Sequence, residues 1–90
     1  MQVGDIVVSL AGRDKDKYFL VIGVDDKSCT IVDGKIRKLD SPKRKNKKHL
    51  KVIFTVNGKC LAERINSGKP TGNETLKRFL KDHLKSNIGG

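Results

Sequence analysis

The apolar positions of this chain change their spacing along its length. Asp5-Ile6-Val7-Val8-Ser9-Leu10 is a short run rich in β-branched residues. It stops at Ala11-Gly12, where glycine takes a positive φ without steric penalty. Tyr18-Phe19-Leu20-Val21-Ile22-Gly23-Val24 is apolar at nearly every position, the pattern of a strand covered on both faces, as in a small barrel. Asp25-Asp26-Lys27 reads as a turn and Cys29-Thr30-Ile31-Val32 as a third strand. Asp33-Gly34 predicts a two-residue hairpin, because both central positions of a type I′ turn need positive φ. Lys35-Ile36-Arg37-Lys38-Leu39 is expected to return as the fourth strand, after which Pro42 and the basic run are expected to break the ladder. His49 to Phe54 is expected to close the sheet, with Leu50, Val52 and Phe54 alternating toward one face. Five short strands with tight turns predict a closed or nearly closed small barrel.

After Phe54 the period becomes helical. Leu61, Ala62 and Ile65 recur at helical spacing within a segment from about Val56 to Asn66, with Gly68 as its stop. Thr71-Gly72-Asn73-Glu74 fits a capping box, in which Thr71 accepts from a backbone N–H and Glu74 reaches back. Leu76, Phe79, Leu80 and Leu84 then form the apolar stripe of a second helix, from about Asn73 to Ser86. Lys77, Arg78, Lys81 and Lys85 lie opposite. Ser67-Gly68-Lys69-Pro70 joins the two helices, whose apolar faces are expected to pack on each other or on the barrel. Ile88-Gly89-Gly90 is expected to fray. The pattern divides the chain into a barrel, residues 1–54, and a helical extension, residues 55–90, without an internal repeat.

Ninety residues, 36% of them apolar, suit one small domain with a modest core. No apolar run approaches the roughly 18 residues of a membrane-spanning helix. MQVGDIVVSLAG lacks the basic start and long apolar stretch of a secretory signal. The expectation is a cytoplasmic chain, monomeric when free, with no membrane partner. Cys29 and Cys60 are isolated; they could pair, but without an export signal they read as two reduced, semi-buried thiols that fill the core.

Catalysis has little to work with. His49 and His83 fall in unrelated elements without an evident nucleophile, and no Cys-x-x-Cys or His/Cys cluster offers a structural zinc site. Gly68-Lys69 resembles the end of a phosphate-binding loop, but Pro70 stands where Ser or Thr belongs and Glu63 where the leading glycine belongs. The sequence therefore predicts a non-enzyme with no cofactor and no metal.

Charge changes the picture more than any of these. The formal net charge is +10, and nine basic residues against one acid fall between Lys35 and Asn57. The first 34 residues hold four basic and six acidic residues. A local excess of this kind points to a polyanionic partner. Each cation that neutralises a phosphate releases condensed counterions, so affinity grows with the number of contacts and falls with salt. Lys43, Arg44, Lys45, Lys47, Lys48 and Lys51 are dense enough to meet successive phosphates, and Arg37 and Lys38 extend the patch. The aromatic residues are only Tyr18, Phe19, Phe54 and Phe79, mostly accounted for as core. Binding through backbone and shape is expected rather than base-specific reading, which favours structured RNA over single strands.

Gly4 to Ile22, with alternating apolar residues, a glycine closing the first strand, a charged turn and a second apolar strand, resembles a KOW motif. The continuation from Val32 to Leu50, DGKIRKLDSPKRKNKKHL at its centre, is similar to the KOW-type ribosomal-protein family labelled L fourteen e and its small bacterial relatives. The resemblance implies a mainly β fold, a five-stranded SH3-like barrel that binds ribosomal RNA without catalysis, here followed by the two short helices. It implies RNA contacts from Gly12, Arg13, Asp14, Lys15 and Lys17 in the first turn and from Arg37, Lys38, Lys43, Arg44, Lys45, Lys47 and Lys48. Ribosomal proteins are further expected partners. Many KOW turns read Asp-Lys-Gly, whereas Asp16 stands at the glycine position; Asp occupies a left-handed turn less readily, and it adds a negative charge. Two other readings are open: a protein-binding SH3-like module of a transcription or translation complex, and a nuclear import signal at Pro42 to Lys48.

Overall fold

The computed structural model describes residues 1–55, 58–69 and 71–88. Val56, Asn57, Pro70, Gly89 and Gly90 lie outside it, as do the side chains of residues 85–88. The start expected for the first helix at Val56, the Pro70 of the linker, the Lys85 side chain and Gly89-Gly90 of the end expected to fray fall outside the described residues, whereas Ile88 of that end is helical.

Among the described residues, five antiparallel strands form one open sheet: β1 (Ile6–Ser9), β2 (Tyr18–Val24), β3 (Ser28–Val32), β4 (Lys43–Asn46) and β5 (Leu50–Phe54), in the order β4-β3-β2-β1-β5. A 3₁₀ turn, Lys47–His49, joins β4 to β5. Two helices follow, α1 (Lys59–Asn66) and α2 (Asn73–Ile88). No helix among the described residues is long and apolar enough to cross a membrane.

The continuous apolar run of β2 is explained by burial on both faces. Leu20 and Ile22 join Ile6 and Val32 under the helices, which contribute Leu61, Ala62, Leu76 and Leu80. Phe19 and Val21 point the other way, into a second cluster with Val7, Cys29, Ile31 and Leu50. The helices thus pack on the sheet. Asn66 adds a polar tie, its amide donating to the Ile22 carbonyl at 2.8 Å. Gly68, at φ +73°, ends α1 as its position predicts.

Three expectations are corrected. Lys35–Leu39 is not a strand, because Asp33 Oδ1 accepts from the backbone N–H groups of Lys35, Ile36 and Arg37 at 2.8–2.9 Å. Those donors are taken into a side-chain-capped loop instead of a ladder. Asp33-Gly34 opens this loop rather than a two-residue hairpin. Gly34 is at φ +79°, and a Cβ there would stand 2.4 Å from the Asn73 carbonyl oxygen at the start of α2. Second, β4 is built from the basic run itself, which was expected to interrupt the sheet. Third, the capping box does not form. Asn73 is the first residue of α2 and its Oδ1 accepts from Leu39 N at 2.8 Å, while Thr71 Oγ1 is buried with no hydrogen-bond partner among the described residues.

Candidate nucleic-acid interface

The cations of β4 occupy an edge strand, paired only with β3 in the register Ser28↔Asn46, Cys29↔Lys45, Thr30↔Arg44 and Ile31↔Lys43. Charge on an edge strand also discourages pairing with a further chain, so not every cation here need be a ligand group. Their side chains divide by face. Lys45 shares the face of buried Cys29, and its ammonium crosses to β1, donating to Ser9 Oγ at 2.7 Å and to the Ala11 carbonyl at 2.8 Å. Arg44 is exposed, but its Nε donates to Ser28 Oγ at 2.8 Å and its Nη2 pairs with Asp25. Lys47 Nζ donates to the Asp26 carbonyl at 3.3 Å, and its backbone N–H reaches the Lys27 carbonyl at 2.8 Å. Asn46 Oδ1 accepts from Lys48 N at 3.0 Å and so caps the 3₁₀ turn.

Arg37 is also engaged. Its guanidinium donates from Nη2 at 2.9 Å and from Nε at 3.3 Å to Asp14 Oδ2, whose side chain is only 5% exposed. This pair ties the loop after β3 to the turn between β1 and β2. The turn is held by backbone bonds from Lys15 N to the Gly12 carbonyl and from Asp16 N to the Ser9 carbonyl. Asp16 sits at φ +68°, the left-handed conformation that its place in the turn requires. Asp14, expected at an RNA surface, is buried beneath Arg37 instead.

Of the ten cations expected to bind, Arg37, Arg44, Lys45 and Lys47 are thus engaged in contacts within the chain. Arg13, Lys15, Lys17, Lys38, Lys43 and Lys48 are exposed, with no ion pair or side-chain hydrogen bond among the described residues. The structure brings together segments distant in sequence: Lys45 touches Ala11 at one side of the first turn, and Arg37 touches Asp14 within it. The free cations of the first turn, the loop after β3, and the β4 edge with its 3₁₀ turn are therefore chain neighbours of residues joined by these two contacts. Such grouping raises the local positive potential beyond that of any one segment.

The two cysteines differ. Cys29 is buried, and burial pushes its thiol above the ordinary value, with Lys47 and the N-terminal ammonium pulling weakly the other way. Cys60 is exposed and does not fill the core, contrary to expectation. Both are free thiols.

The sequence marks the basic face of α2 at Lys77 and Lys81, but sequence reasoning missed the groove beside it. Tyr18, Ile36, Leu80 and Leu84 line a groove beside α2, with Lys35, Lys77 and Lys81 around it. The unused signal was the lone tyrosine at the head of β2, at the edge of an otherwise buried apolar run. No protein-family model and no curated protein matches the chain.

Proposed function

We propose that the chain is a non-catalytic RNA-binding protein of KOW type, cytoplasmic and ribosome-associated, with ribosomal RNA as its target. The observation that carries this reading is the set of six exposed, unpaired cations gathered from three separate segments. Self-repulsion among them is relieved when phosphates replace solvent counterions. Structured RNA suits the arrangement, because its backbone is read by shape and charge. An SH3-like barrel is the architecture we assign to the sheet. Its support is the return of β5 beside β1 and the reach of Lys45 from the β4 edge to Ser9. Asp16 in the left-handed conformation, where KOW turns carry glycine, supports the same assignment.

A gel-shift titration with a folded ribosomal RNA fragment tests the proposal. Wild type is expected to bind at low salt and to lose affinity steeply as salt rises. The double variant Lys43→Gln/Lys48→Gln is expected to reduce the magnitude of the log–log salt slope by about 0.7–0.9 for each phosphate contact removed. An unchanged affinity and slope in the variant would remove the β4 edge from the interface. No binding by wild type in dilute buffer would overturn the function.

A further inference from the structure

The groove lined by Tyr18, Ile36, Leu80 and Leu84 has a volume of about 430 Å³, within the range of pockets that hold small ligands. Tyr18 follows the register of Leu20 and Ile22 but lies half-buried at the groove, so its ring is not consumed by the core. Ile36, 44% exposed, leaves further apolar surface uncovered. Around this floor stand ammonium groups from three elements: Lys17 from the first turn, Lys35 from the loop after β3, and Lys77 and Lys81 from α2. Lys77 pairs with Glu74 at 2.6 Å. Lys17, Lys35 and Lys81 are exposed and carry no ion pair among the described residues. Of the two carboxylates present, Asp33 already receives three backbone N–H groups at Oδ1, which leaves Asp16 as the exposed acid.

An aromatic and aliphatic floor under a rim of cations matches a nucleobase joined to phosphates. We propose that the groove holds one unpaired nucleotide of the RNA bound at the cationic surface, its base stacked on Tyr18 and its flanking phosphates met by Lys17, Lys35 and Lys81. The inference rests on the RNA-binding reading and extends it from phosphate contact to a single extruded base. Proteins that read structured RNA engage bases where loops and bulges unstack them, commonly on aromatic side chains. Stacking tolerates any base, because each has a π-face. The groove also adjoins the first turn through Asp16 and Lys17, so one RNA chain can run from the Arg13 and Lys15 surface into it. That continuity favours a nucleotide over an acidic, apolar peptide of similar size.

Two fluorescein-labelled RNA hairpins test this, identical except for one single-nucleotide bulge. Wild type is expected to bind the bulged hairpin about tenfold more tightly, a difference within the range of one base–aromatic stack. Tyr18→Ala is expected to abolish that preference while leaving affinity for the paired hairpin unchanged, and Tyr18→Phe to keep it. Lys81→Gln provides a second variant away from the core, expected to weaken only the bulged complex. Equal wild-type affinity for both hairpins, or a preference that survives Tyr18→Ala, overturns the inference and leaves the phosphate-binding surface standing. Failure of both hairpins to bind in low salt overturns the RNA reading itself. A Glu- and Leu-rich peptide that binds wild type but not Tyr18→Ala, with no preference between hairpins, would give the groove to a protein partner.

Discussion

Thr71 Oγ1 is a hydroxyl removed from solvent without a hydrogen-bond partner among the described residues. A Thr-x-x-Glu spacing at a helix start ordinarily supplies that partner, since the hydroxyl accepts from the N–H three residues on. Here α2 begins two residues later than Thr71, and its first turn is bonded from Leu76 N to the Gly72 carbonyl at 3.3 Å. Asn73 serves the loop after β3 through Leu39 N. Local spacing announced the helix, but a contact from 34 residues away decided how its start is used. Thr71→Val separates the two arrangements. It keeps the shape and removes a desolvated hydroxyl, so it is expected to leave stability unchanged or raise it by about 1 kcal/mol. A working cap would instead lose about 1 kcal/mol on the same substitution. Urea denaturation midpoints at constant m-value distinguish the outcomes.

The strand β4 shows where reading the sequence reaches its limit. Apolar positions mark β1, β2, β3 and β5 because each carries side chains into both core clusters. Lys43-Arg44-Lys45-Asn46 offers no apolar position, so no periodicity announces it, and only pairing with β3 makes it a strand. Ile36 and Leu39 supplied a false signal; the Asp33 carboxylate had already captured the donors that a strand would need. The same limit applies to the site. Density of charge along Lys43 to Lys48 is legible, but which cations face solvent depends on strand alternation and on contacts across the sheet. Lys45 makes the difference measurable. Lys45→Met preserves the stem and removes two hydrogen bonds, one of them to Ser9, which is fully buried. A loss of about 1.5–3 kcal/mol in stability is expected, the range for a hydrogen bond to a charged group, while Ser9 Oγ keeps its own bond to the Ala11 carbonyl. Lys43→Gln is expected to change stability by less than about 0.5 kcal/mol and, under the proposed function, to lower RNA affinity. Thermal unfolding beside the gel shift reads both; a stable Lys45→Met with weakened RNA binding would place Lys45 in the interface.

At the scale of the whole molecule, the sheet and helices share a hydrophobic cluster, and this sets how the chain folds as a unit. Ile6, Leu20, Ile22 and Val32 are covered by Leu61, Ala62, Leu76 and Leu80, so removing the helices would expose one complete face of the sheet. Burial of each of the three leucines contributes about 1.5–3 kcal/mol. Their sum is comparable with the whole stability of a small domain, about 5–15 kcal/mol. Residues 1–54 alone are therefore expected to lack a cooperative thermal transition, even though they contain all five strands. Leu76→Ala applies the same argument within the full chain: Leu76 is fully buried, and the substitution is expected to lower stability by about 2–5 kcal/mol. The loop carrying Lys35, Arg37 and Lys38 would loosen with it, because Leu39 N is held by Asn73 and Gly34 packs against the start of α2. Amide exchange in that loop should accelerate in Leu76→Ala relative to β2, linking the helical cluster to the geometry of the cationic surface. If the 1–54 fragment melted cooperatively near the full-length midpoint, the helices would be an attachment to an independently stable sheet, and this coupling between core and interface would be lost.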